Sequence, residues 1–132
     1  RYISIVKAAK DQRLKNVGVA YIDLNGLKAI NDNYGHSNGD KFICTAADTF
    51  KMVFPDNSYR IGGDEFVIIE QNIERDKYEE RITALKNIMQ DKQVSISIGV
   101  LWREYVDDLE ELLKAADKLM YMEKEMYHNN RE

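Results

Sequence analysis

The sequence predicts an α/β chain, an α+β sandwich in which helices pack on one sheet. Two observations predict it. Short apolar runs rich in β-branched and aromatic residues alternate with longer segments of helical apolar spacing. Two of those runs also abut through a Gly-Gly turn, which reads as a hairpin. Strands separated by helices, with one hairpin among them, give the skeleton βαββαβ and a mixed sheet.

Each element has its own warrant. A helix precedes the first strand. Asn16–Leu24 (NVGVAYIDL) is a buried strand ending near Asp23. Asn25–Gly35 is a helix with Leu27, Ile30 and Tyr34 on one face and Gly35 as its stop. Ser37–Phe54 places Phe42, Ala46, Thr49 or Phe50, and Val53 at helical spacing, before Pro55-Asp56-Asn57 breaks the pattern. Ser58–Ile61 and Phe66–Glu70 are the hairpin strands, with Gly62-Gly63 supplying backbone freedom at the turn. Ile73–Gln90 carries the stripe Tyr78, Ile82, Leu85 and Met89. Gln93–Trp102 alternates Val94, Ile96, Ile98 and Val100 on one strand face, and Asp107–Tyr127 is a helix on Leu109, Leu112 or Leu113, Ala116 and Met120.

Bulk properties narrow the function. At 132 residues, 44% hydrophobic and 32% charged, residues 1–132 make one domain with a real core. The net charge of −4 gives no reason to expect nucleic-acid binding, although a nucleotide needs only local positive charge. Cys44 is the single cysteine, which excludes an internal disulfide and suits a cytoplasmic setting; it reads as a small buried helix residue. No run is long enough to span a membrane, so no membrane contact by this domain is expected. The chain opens at Arg1 without Met, as expected of a domain excised from a longer protein, which leaves room for a membrane anchor and for sensory or regulatory domains elsewhere.

The acids carry the chemistry. Asp23 ends the first strand, and Asp64 and Glu65 sit in the hairpin turn. In a βαββαβ sheet these strands can be neighbours, so Asp23 and Asp64 can converge despite their distance in sequence. Converging carboxylates repel unless a proton or a cation intervenes. Mg²⁺ suits them, being hard, oxygen-seeking and used to carboxylates together with phosphates. Gly62-Gly63-Asp64-Glu65 alone favours an ordinary hairpin loop. The balance shifts with the acid ending the first strand and with Gly26–Lys28, whose free N–H groups at a helix start can hold phosphates.

The segments YIDLNGLKAINDNYGHSNGDKF, YRIGGDEFVII, VSISIGV and AADKLMYMEK stand in the order and spacing of the GGDEF domain, and the chain resembles that diguanylate cyclase catalytic domain over nearly its whole length. The family's N-terminal lead-in is the part truncated, Arg1-Tyr2 resembling its last residues. The resemblance implies a palm or nucleotidyl-cyclase-like fold with a central, mainly antiparallel sheet flanked by helices. It implies condensation of two GTP into cyclic di-GMP and two pyrophosphates across a homodimer, with two Mg²⁺ ions per site and Mn²⁺ as an alternative. Asp23, the Leu24 carbonyl and Asp64 match the family's metal ligands, and Asp64 and Glu65 match its catalytic acids. Asn31 and Asp40 match the guanine readers; Gly26, Leu27, Lys28 and Lys118 match phosphate contacts. His36 is expected to shape its loop rather than ligate metal, and Trp102 to serve packing.

Three positions depart from the family pattern. Asn25 replaces an Asp. Met122 stands one helical turn after Lys118, where the family often has a phosphate-contacting arginine, which predicts weaker GTP affinity. Val53 replaces the arginine of the product-inhibition site, while Asp56 remains, so feedback inhibition of the usual kind is expected to be absent. Two other functions fit less well: a catalytically silent GGDEF module that senses GTP or cyclic di-GMP, and an RNA-binding domain on a similar scaffold, against which net acidity weighs.

Overall fold

The computed structural model describes residues 6–7 and 12–131. Val6 and Lys7 are helical; the rest of the expected leading helix and Arg1-Tyr2 lie outside the described residues. In chain order follow β1 (Leu14–Leu24), α1 (Leu27–Tyr34), α2 (His36–Val53), β2 (Ser58–Arg60), β3 (Glu65–Glu70), α3 (Arg75–Asp91), β4 (Ile96–Val106) and α4 (Leu109–Arg131). The expected βαββαβ skeleton is present. Its four strands lie in the order β2-β3-β1-β4, and every neighbouring pair is antiparallel, so the sheet is not mixed.

Helices cover both faces of this sheet, which is why β1 reads as continuously apolar rather than alternating. Ala20, Ile22 and Leu24 join the core formed with Phe50, Tyr78, Ile82, Leu85 and Met89 of α2 and α3. Val17 and Val19 join the opposite core, under Leu109, Leu112, Leu113 and Ala116 of α4. Tyr78 is fully buried, and its hydroxyl donates to the Val19 carbonyl. Burial pushes that phenol far above its ordinary pKa.

The structure departs from the sequence reading at several points. β1 and β4 pair as far as Leu14 opposite Val106, beyond the expected ends at Asn16 and Trp102. Arg103, Glu104 and Tyr105 are exposed on this stretch, so no apolar alternation marks it. No residue of α1 is buried, and Tyr34 is 70% exposed. Its apolar stripe therefore does not face the core; the main neighbour of this two-turn helix is α2. Cys44 is exposed, not buried. It lies two residues before Ala46, a rotation of roughly 200° at 3.6 residues per turn, which turns it away from the core face.

Two local devices fix the end of β1 and the seat of α4. Asn25 is buried and clamped to the strand beyond: its N–H donates to the Ser95 carbonyl (2.9 Å), its Nδ2 to Ser95 Oγ (3.0 Å), and its Oδ1 accepts from Ser97 Oγ (2.9 Å). An amide serves this arrangement with one donor and one acceptor. At Gly99 of β4, an added Cβ would overlap the Ala116 carbonyl oxygen and lie 2.6 Å from the Met120 nitrogen. α4 therefore rests directly on the strand backbone.

Candidate active site

β1 and β3 are direct neighbours, and Asp23 stands opposite Glu65. The Leu24 N–H donates to the Asp64 carbonyl at 2.9 Å, so the hairpin turn is tied to the end of β1. Asp23 is only 3% exposed. Its Oδ2 accepts from Lys124 Nζ of α4, whereas its Oδ1 is buried with no hydrogen-bond partner. Leaving a buried carboxylate oxygen unpaired is costly, and such an oxygen in a functional cleft is suited to a ligand.

The electrostatics follow from this crowding. Burial raises the Asp23 carboxyl above its ordinary pKa; the Lys124 hydrogen bond opposes that rise and the charge of Asp64 adds to it. Glu65 is raised by burial and then by the charges of Asp23, Asp64 and Asp117. For Lys124, burial works to lower the pKa, but the hydrogen bond to Asp23 and the charges of Asp23, Asp64 and Glu65 raise it overall. A single ammonium thus balances three carboxylates. Among the described residues no three His, Cys, Asp or Glu side chains are already gathered as a metal cage. The unpaired Asp23 oxygen and the adjoining Asp64, all hard oxygen donors carrying excess negative charge, nevertheless fit a divalent cation shared with phosphates.

Beside the acids opens a cavity of about 380 Å³ lined by Leu24, Gly26, Leu27, Lys28, Asp32, Asp64, Lys124, Tyr127 and His128, among others. Gly26 caps α1 in the left-handed region (φ 79°) and no side chain caps the helix start. The first N–H groups of α1 thus face a cavity that holds two lysines and an edge of the acid cluster.

The structure assembles some of the expected residues and separates others. Asp23, Leu24, Gly26, Leu27, Lys28, Asp64 and Glu65 come together. Asn31 and Asp40 sit beyond the cavity, on α1 and α2, where Asn31 lies against Gly39. Lys118 and Met122 line a different cavity with Asp117 and Tyr121. Lys124, one turn before His128, lies beside the acids and lines the first cavity. Neither Gly62 nor Gly63 has positive φ. An added Cβ at Gly62 would lie 3.3 Å from Glu65 Oε1, and at Gly63 would meet nothing. The glycines therefore supply space more than unusual backbone. Arg60, not singled out from the sequence, holds the turn: its Nε donates to the Gly62 carbonyl (3.1 Å) and its Nη2 to that of Gly63 (2.7 Å). Asp32 and Tyr127 also line the cavity without having been anticipated.

Comparison with known proteins places the chain in a family. The signaling protein YkoW of Bacillus subtilis is 38% identical over 124 residues, 83% of this chain and 15% of that protein. The diguanylate cyclase DgcS of Shewanella oneidensis is 35% identical over 124 residues, 88% of this chain and 42% of that protein. The chain thus spans less than half the length of these curated relatives. Among solved structures, the GGDEF domain of YfiN from Pseudomonas aeruginosa superimposes with a TM-score of 0.73 at 26% identity, covering 85% of this chain and 73% of that one. The sequence pattern described as "Diguanylate cyclase, GGDEF domain" matches residues 3–130. With nearly every residue inside that pattern, the chain belongs to the GGDEF domain family.

Proposed function

We propose that this domain is a diguanylate cyclase, condensing two GTP into cyclic di-GMP across a homodimer. The observation that carries the reading is the buried, unpaired oxygen of Asp23 beside Asp64, next to the open start of α1. Each 3′-hydroxyl oxygen forms a bond to the α-phosphorus of the opposing GTP, and the α–β phosphoanhydride bond breaks to release pyrophosphate. Asp23, the Leu24 carbonyl and Asp64 would hold Mg²⁺, which when bound polarises the phosphoryl oxygens and neutralises developing charge.

The chain's own residues do the rest. The α1 N–H groups, Lys28 and Lys124 bind and orient the triphosphate; Lys124 is placed to turn from Asp23 towards phosphate. Glu65, its carboxyl raised by burial and neighbouring charge, is suited to take the 3′-hydroxyl proton. Asn31 and Asp40 read the guanine edge, the carboxylate accepting from N1–H and N2–H₂ groups that adenine lacks. Val53, half-buried in the last turn of α2, offers no guanidinium to a product phosphate, so the usual product inhibition is absent. Among the described residues no helix is long and apolar enough to cross a membrane; attachment to sensory domains is part of the proposal.

Incubation with GTP and Mg²⁺ tests it, with cyclic di-GMP and pyrophosphate as the readouts. Product should form with the wild type and fall by at least about a hundredfold in Asp64→Ala, the scale expected for losing a charge-stabilising group. GTP bound without turnover, even in an enforced dimer, would favour a sensing module instead.

A further inference from the structure

We infer that Gly39 is a positioning residue for base selectivity, the seat that holds the Asn31 amide beside Asp40. The inference rests on reading Asn31 and Asp40 as the guanine contacts. Gly39 is buried in the first turn of α2 although its neighbours Asn38 and Asp40 are exposed. Its φ is not positive, so no unusual backbone demands glycine there. Space does. An added Cβ would overlap Asn31 Oδ1 and lie 2.8 Å from its Cγ. Glycine is among the poorest residues for a helix, so its presence inside one calls for such a reason.

The backbone around Gly39 is tied at two points. The Gly35 N–H donates to the Asn31 carbonyl (2.9 Å), closing α1, and the Gly39 N–H donates to the Gly35 carbonyl (3.2 Å), opening α2. The backbone of Asn31 is thereby fixed, and α1 and α2 meet at this corner. A methyl group at position 39 would occupy the place of the Asn31 amide, so that side chain must shift from where it lies. Asp40, the next residue along α2, would keep its place. An asparagine amide can donate to the guanine O6, where adenine presents a donor of its own, so displacing it should hurt guanine selectively.

The test uses 3′-deoxy-GTP and 3′-deoxy-ATP, which lack the attacking hydroxyl, titrated with Mg²⁺ into the whole protein. The wild type should prefer the guanine nucleotide. Gly39→Ala should weaken 3′-deoxy-GTP about tenfold, the scale of one lost hydrogen bond with its unpaired partner, and leave 3′-deoxy-ATP unchanged. Asn31→Ala should do the same, and the double variant should be no weaker than Asn31→Ala alone. Asn31→Ala should also restore melting temperature lost in Gly39→Ala, because it removes the atoms the methyl would strike. Should Gly39→Ala fail to fold, recovery of folding in the double variant supports the seat, and failure of both overturns it. A wild type without guanine preference defeats the underlying reading of the site. A wild type with that preference, fully retained in Gly39→Ala or lost additively in the double variant, defeats only the role of Gly39.

Discussion

Asp23 is buried at the end of a strand with one oxygen bound to Lys124 and the other unpaired. That arrangement sets a pH dependence. Burial raises the Asp23 and Glu65 carboxyls in the fold, so the folded protein binds protons more readily than the unfolded chain. The resulting destabilisation is present above the raised values and fades as pH falls through them towards the ordinary carboxylate range near about 4. The raised Lys124 stays charged throughout that window; its contribution is lost only above its folded pKa, on the alkaline side. The metal-free protein should therefore gain melting temperature as pH falls from neutral towards the ordinary carboxylate range, and Asp23→Asn should reduce the gain. A melting temperature that falls steadily over this interval would contradict the assignment. Lysine identity gives a second test. Lys124→Ala should weaken GTP binding roughly tenfold, whereas Lys118→Ala should stay within about twofold, as a side chain far from the triphosphate would. Asp23, Asp64 and Glu65 were legible because strand ends and a glycine turn leave carboxylates few structural duties. Lys124 was not, because α4 offers several lysines and only its packing on β4 decides which one faces the acids.

That packing belongs to the element scale. α4 lies against the β4 backbone at Gly99, and its length from there carries Lys124 to Asp23. Gly99→Ala should cost about 1–3 kcal/mol in urea denaturation, the usual range for overpacking, and weaken GTP binding by shifting Lys124. Gly63→Ala, where a methyl meets nothing, should change stability by less than about 0.5 kcal/mol. Equal costs at the two positions would show that α4 is not seated as described. Stripes on α3 and α4 were readable from spacing, since each contributes buried residues to one core. The stripe on α1 marked the helix without marking a core face, because a helix of eight residues can present apolar side chains without reaching the sheet. The Asn25 clamp was unreadable, since its partners Ser95 and Ser97 come from a distant strand that pairing alone brings near.

At the scale of the whole molecule, the order β2-β3-β1-β4 is what turns separate motifs into one site. It sets the end of β1 beside the hairpin turn and leaves the start of α1 to line the cavity there. The alternation of strands and helices announced this architecture, while antiparallel pairing throughout emerged only with the register. In the proposed reaction two GTP molecules attack each other, and one domain provides one set of converging acids, hence half of what that reaction needs. Its partner must bring the other half within reach, and positioning of that kind depends on association. The direct measurement is cyclic di-GMP formation from GTP and Mg²⁺ across a wide range of protein concentration. Activity per molecule should rise with concentration, level off once dimers saturate, and vanish in Asp64→Ala. Activity per molecule that is constant from the most dilute solution upward, with no dimer present, would contradict the proposed reaction across two subunits.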